Sequence, residues 1–94
     1  MNILFEALAH PTRREILELL KQGSASAGDI AGHFDVSKPT MSVHFAKLRD
    51  AGLIHADRQG TSIIYSLNLS LLEEVLMGFM GRMGISPDGK EVTR

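Results

Sequence analysis

Asp35 to Gly52, DVSKPTMSVHFAKLRDAG, constrains this chain more than any other stretch. Its first residues make a tight turn and the rest makes a helix with two distinct faces. At 100° per residue, Met41, Phe45 and Leu48 fall on one stripe with spacings of four and three, so they point into a core. Pro39, Val43, Ala46 and Asp50 lie opposite, flanked by Lys38, Thr40, Ser42 and Lys47. An ordinary solvated helix face is rich in Glu and Lys. This one offers cations, hydroxyls and small apolar groups, which suit a DNA major groove: lysine meets guanine or phosphate, hydroxyls meet base edges, and a methyl-bearing side chain meets thymine. Val43 also has a bland reading, as one scattered apolar residue of the kind every surface carries, and the helix alone does not separate the two.

The residues before this helix give it a partner. Ser26-Ala27-Gly28-Asp29 has capping-box spacing and predicts a helix ending near Phe34, with Ile30, Ala31 and Phe34 inward. Three or four residues then remain for a turn. Ser37 is placed to cap the next helix and Pro39 is tolerable in its first turn, so the pair reads as a helix-turn-helix. After Gly52 two strand-like runs, Leu53 to Arg58 and Ser62 to Leu67, flank Gln59-Gly60-Thr61. They predict a β-hairpin, a wing whose tip offers Arg58, Gln59 and Thr61 to phosphate or the minor groove. Gly60 itself needs no more than turn geometry.

Toward the N-terminus, Asn2 to Ala9 reads as a short helix with almost no polar face. His10-Pro11 ends it and starts a second, because the residue before proline avoids the α region and proline suits a first helical position. That helix runs to about Gln22. Ile16, Leu17, Leu19 and Leu20 point inward and Arg13, Arg14, Glu15, Glu18 and Lys21 mostly outward, with Gly23 as the stop. Arg13 and Arg14 read as a solvated helix end, with phosphate contact as the alternative.

Toward the C-terminus, Ser70-Leu71-Leu72-Glu73 is a second capping box, opening a last helix to about Met83. Its apolar residues spread over nearly half the circumference, wider than the roughly 100° that one small core needs. One edge is therefore expected on the chain's own core and the other on a second copy. The expected dimer contacts are Ile3, Leu4 and Leu8 of the first helix with Leu72, Val75, Leu76, Phe79, Met80 and Met83 of the last. Gly78, Gly81 and Gly84 are evenly spaced but follow no strand and cradle no phosphate, and suit close helix packing or fraying. Residues 1–84 are expected to form one domain and 85–94, with Pro87-Asp88-Gly89, a mobile tail. The fold expected is mainly α with a β-hairpin (α+β), a winged helix-turn-helix in the order four helices, hairpin, fifth helix.

Composition limits the alternatives. A chain of 94 residues buries only roughly 60–65% of its unfolded surface, so a partner subunit would help it. The formal net charge is −1, which does not announce a nucleic-acid binder, yet Val36 to Tyr65 carries four cations against two carboxylates. There is no cysteine, which excludes disulfides, thiolate ligands and a thiol sensor. His10, His33, His44 and His55 fall on four different elements without paired spacing, so no metal cofactor is expected. Ser42 and His44 are too close along a helix to act as nucleophile and base, and no third residue suggests an orienting acid, so no enzyme is expected. Nothing resembles a secretory signal or a membrane span, and the chain is expected in the cytoplasm.

Over about residues 2 to 80 the sequence resembles the ArsR/SmtB family of bacterial winged-helix repressors. ALAHPTRREILELL is similar to the family's A-L-x-x-P-T-R-x-x-I-L-x-x-L opening. SKPTMSVHFAKLRDAGLI is similar to its S-x-P-x-x-S-x-H-L-x-x-L-x-x-A-G-L-I run, with Phe45 where leucine is usual, and RQGTSIIYSLN to its R-x-G-x-x-x-Y-x-L wing. Chain length, lack of cysteine and the tail look most like the family's autorepressor group. The resemblance implies a homodimer that holds two recognition helices in successive major grooves of a double-stranded DNA operator and occludes polymerase. By motif position it carries DNA contact onto Lys38, Pro39, Thr40, Ser42 and Val43 and, in the wing, Arg58 and Gln59. His44 matches the family's histidine, but its angle suits the edge of the core at least as well as a base.

The chain departs from the family's metal sensors, which place cysteines in the third helix or His and carboxylate pairs on the last. Here the third helix holds Asp29 and His33 and the last Glu73 and Glu74. The inducing signal or sequestering partner is left open. A competing reading is a winged-helix module that binds a protein partner through Val43 and Pro39 and does not read DNA; its binding would be insensitive to salt.

Overall fold

His10 is the hinge from which the helical part of the molecule is built. Its extended backbone (φ −102°, ψ 130°) ends α1 (Asn2–Leu8), and its ring Nδ1 accepts the Thr12 N–H at 3.1 Å, capping α2 (Pro11–Leu20). In the computed structural model, which describes residues 2–85, there follow β1 (Ala25–Ser26), α3 (Ala27–Ala31), α4 (Lys38–Asp50), β2 (Ile54–Gln59), β3 (Ser62–Leu67) and α5 (Leu69–Arg82). The tail expected over 85–94 lies, past Ile85, outside the described residues. The architecture is the winged helix-turn-helix expected, with one short strand added to it.

That strand is β1. It pairs antiparallel with β3, Ala25 opposite Tyr65 and Ser26 opposite Ile64, and makes a three-stranded sheet of order β1-β3-β2. Ser26 thus serves twice, as a strand residue and as the cap of α3, whose Asp29 N–H its Oγ accepts at 3.0 Å. The hairpin is in register from Ile54 opposite Leu67 to Gln59 opposite Ser62, so its turn is Gly60-Thr61 alone and Gln59 is a strand residue. Gly60 takes φ +64° at the first central position, as a type II′ hairpin turn requires.

Met41, Phe45 and Leu48 of α4 meet Ile16, Leu17 and Leu20 of α2 in one core, closed by Ile30, Leu53, Ile54 and Tyr65. Phe45 stacks on Tyr65 with ring centroids 4.6 Å apart, tying α4 to the sheet. The exit from α4 is fixed by hydrogen bonds. Gly52 N–H reaches Arg49 O at 2.9 Å and Leu53 N–H reaches Leu48 O at 3.0 Å, the pair of a Schellman motif, with Gly52 at φ +79°.

The start of α5 differs from expectation. Its cap is Asn68, whose Oδ1 accepts the Leu71 N–H, and not Ser70, so the Ser70–Glu73 spacing is not used as a box. Asn68 prevails because its other groups are also spent here: Nδ2 donates to Gly52 O at 2.9 Å and its backbone N–H to Leu53 O at 2.8 Å. The helix starts where the chain leaving the sheet is already anchored.

Candidate nucleic-acid interface

The exposed side of α4 is built from its N-terminus. Ser37 caps the helix, its Oγ accepting the Thr40 N–H at 3.3 Å and donating to Thr40 Oγ1 at 2.9 Å. That fixes the Thr40 hydroxyl and leaves its proton free to donate outward. Pro39 in the first turn supplies no N–H where none is needed. Lys38, Pro39, Thr40, Ser42 and Val43 are all exposed, Val43 by 53%, and Lys38 forms no ion pair among the described residues. These five are brought together on one surface.

Lys47 stands apart from them. Its ammonium is 3.0 Å from Glu6 Oε1, so it bridges α4 to α1 on the flank of the helix. Both ends of this pair are well exposed, and such a pair contributes little and is readily exchanged. In the wing, Arg58 and Gln59 are exposed on opposite faces of β2, as alternate strand residues must be. Gln59 Nε2 donates to Asp57 Oδ2 at 3.1 Å, whereas Arg58 has no ion-pair partner among the described residues.

Arg13 lies elsewhere than expected. It is only 7% exposed. Its Nε donates to Ala7 O at 2.7 Å, Nη2 to Glu6 O at 2.9 Å, and Nη1 lies 3.1 Å from His44 Nδ1. Arg14 Nη1 donates to Leu8 O at 2.7 Å. Arg13 and Arg14 thus satisfy the Ala7 and Leu8 carbonyls at the end of α1, and Arg13 adds a second bond to the Glu6 carbonyl, which already accepts the Ala9 N–H, where the helix dipole also favours a cation. Arg13 is neither a solvated helix end nor within reach of phosphate. The spacing held a signal: Arg13 is three, four and seven residues before Ile16, Leu17 and Leu20, on the stripe that α2 buries.

Through Arg13 the first two helices hold α4. His44 is buried, which settles its place as core edge and not base contact. Its Nδ1 faces a guanidinium and must therefore accept, so the ring is neutral. Burial, then His10, then Arg13 hold its pKa below the usual histidine value. The structure also brings together two histidines that sequence left separate: the rings of His10 and His44 are 4.5 Å apart. Their Nδ1 atoms are already engaged, and among the described residues no three His, Asp or Glu side chains converge as metal ligands would.

Of the expected dimer contacts, Ile3, Leu76, Phe79 and Met83 are exposed, between 40% and 59%. Leu4, Leu8 and Leu72 are half-buried against the core, Met80 is half-buried, and Val75 is covered by its own chain. Leu69 and Met77, which sequence reasoning did not assign, are exposed as well. Phe79 rests edge-on against Phe5 at 5.3 Å, joining α1 and α5 into one apolar surface. No helix among the described residues is long and apolar enough to cross a membrane.

Comparison with known proteins agrees with this geometry. Residues 10–56 match the model of the arsR family of bacterial regulatory proteins. The chain is 50% identical to the transcriptional repressor SdpR of Bacillus subtilis (strain 168) over 74 residues, which are 79% of this chain and 82% of that protein. It is 35% identical to the arsenical resistance operon repressor of Staphylococcus xylosus over 75 residues, 80% and 72% of the two chains. The crystal structure of an ArsR family transcriptional regulator superposes with a TM-score of 0.80 at 30% identity, covering 87% of this chain and 84% of that one. The relatives are repressors of transcription and not enzymes, and the chain belongs to the arsR family of bacterial regulatory proteins.

Proposed function

We propose that this protein represses transcription by binding an inverted-repeat operator in double-stranded DNA as a cytoplasmic homodimer, without a metal cofactor. The observation that carries the reading is the α4 surface, where Lys38, Thr40, Ser42 and Val43 stand exposed on a helix clamped from behind by Arg13, Phe45 and Leu48. A rigid helix with an unencumbered cation and hydroxyls is what major-groove reading needs. Lys38, Ser42 and Val43 contact bases; Thr40 and Pro39 fit the helix end to the backbone; Lys47, Arg58 and Gln59 add phosphate contacts at the flanks.

Two further features support the finer parts. Ile3 of α1 and Leu69, Leu76, Met77 and Phe79 of α5, with Met83 at its end, are exposed apolar side chains that a second copy would cover. The chain has no cysteine to serve as a metal or redox sensor. Footprinting on the promoter of its own gene tests the arrangement. Protection of two half-sites about one helical turn apart, roughly 34–36 Å, unchanged by a chelator, is expected. Protection of a single half-site, or loss of the footprint with chelator, would contradict it.

A further inference from the structure

Along one side of α4 runs a groove of about 490 Å³, bounded by α3 and by β3. Its volume lies in the range of sites for small organic molecules. Met41, Phe45 and Ala46 of α4 and Ile63 of β3 give it an apolar lining. Opposite them α3 presents only Ala27, Gly28 and Ala31, whose small side chains leave the space open. Polar groups stand at the ends. Lys38 and Ser42 line the end near the helix N-terminus, and Arg49 lies eleven residues on, about 16 Å along the axis. No carboxylate among the described residues lines the groove.

Tyr65 supplies the second observation. Its side chain is 4% exposed and lines the groove, yet its hydroxyl makes no hydrogen bond among the described residues. The hydroxyl is not cut off from solvent, so its hydrogen bonds are made in the open groove, to water or to a ligand that replaces it. Burial raises its pKa, and the Arg49 guanidinium is near enough to oppose that rise. A phenol that stays protonated beside a cation is a donor pair for one carboxylate. Among the described residues Arg49 is otherwise engaged only with exposed Asp50 at 3.7 Å, a contact weak enough to exchange.

We propose that this groove is a binding site for a small amphipathic monoanion, its carboxylate held by Tyr65 and Arg49 and its apolar body lying over Phe45 and Ile63 toward Ser42. Such a ligand covers the edge of the DNA-reading surface, so its binding and operator binding compete. This consequence rests on the DNA-binding reading above, whereas the site itself does not. A bare phosphate is a poorer occupant, because most of the lining would remain wet against an anion that cannot cover it.

Octanoate is the probe, titrated calorimetrically into the full-length protein, with acetate and 1-octanol as controls for charge and for apolar body. Saturable binding of one octanoate per chain is expected, weakened at least fivefold by Tyr65→Phe, which keeps the ring stacked on Phe45, and by the surface change Arg49→Ala. Acetate and octanol should each bind at least tenfold more weakly. Saturating octanoate should lower operator affinity at least fivefold in the natural protein and not in Tyr65→Phe. Absence of saturable heat, binding indifferent to both substitutions, or equal binding of either control would overturn the site. A protein that takes octanoate but binds no DNA keeps the site and defeats the repressor reading; one that binds its operator and takes no octanoate does the reverse.

Discussion

Lys38 and Arg58 are both exposed cations without a partner among the described residues, and the account gives them different duties. Lys38→Ala should lose roughly 1–3 kcal/mol on the operator and less on random duplex, because a base contact carries sequence information. Arg58→Ala should weaken both alike. Competition binding on the two duplexes separates these, and equal loss for Lys38→Ala would remove its base-reading role. Arg13 acts from inside. Arg13→Ala strands the Ala7 carbonyl and the His44 nitrogen and leaves the Glu6 carbonyl with the Ala9 N–H alone, and should cost on the order of 3 kcal/mol in urea denaturation. His44 adds a pH dependence whose sign is fixed. Its folded pKa is depressed below the unfolded value of 6.5, so its neutral, buried state is fully favourable above 6.5 and stability is lost as pH falls from there through the folded pKa. Urea midpoints between pH 7.5 and 5.5 should fall in the natural protein and fall less in His44→Asn; an equal fall would show that other groups are responsible. Which residues of α4 stand exposed together was legible from spacing alone, because a helix fixes which residues share a face. The fate of Arg13 was not read, since a charged residue on a buried stripe becomes intelligible only with its acceptors, which come from another helix.

At the scale of elements, the joints decide how the recognition helix and the wing are held. Asn68 caps α5, closes onto Gly52 and holds Leu53, so Asn68→Ala should cost about 1–2 kcal/mol while Ser70→Ala stays within about 0.5 kcal/mol. The reverse order in chemical denaturation would restore the Ser70 cap. Gly52→Ala meets two penalties at once, a left-handed φ of +79° and a new Cβ 3.1 Å from Leu71 Cδ2, and should destabilise by more than about 1 kcal/mol. Sequence showed the helices, the hairpin and the short turn between α3 and α4, because each is local. It could not show β1, two residues with no periodicity of their own that exist as a strand only through pairing with β3. It chose Ser70 over Asn68 for the same reason: the box spacing is local, and the competing bonds to Gly52 and Leu53 are not.

At the scale of the whole molecule, the question is what covers the α1 and α5 surface. Of the residues expected there, Val75 is covered by its own chain, so Val75→Asp should unfold the protein and not merely separate two copies. Leu76→Asp with Met83→Asp, both at exposed positions, should leave each chain folded, yield a monomer in sedimentation velocity and reduce operator affinity at least tenfold. A folded dimer in that variant would place the interface elsewhere. Central to everything is that the α4 surface reads DNA. The measurement that tests it most directly is an anisotropy titration of the protein on its own promoter and on a scrambled duplex, at 50 and 200 mM salt. The account predicts preference for the promoter and a loss of about 10³-fold or more between the two salts, as a dimer neutralising six or more phosphates releases their counterions. Equal affinity for both duplexes, or binding that salt does not change, would contradict it.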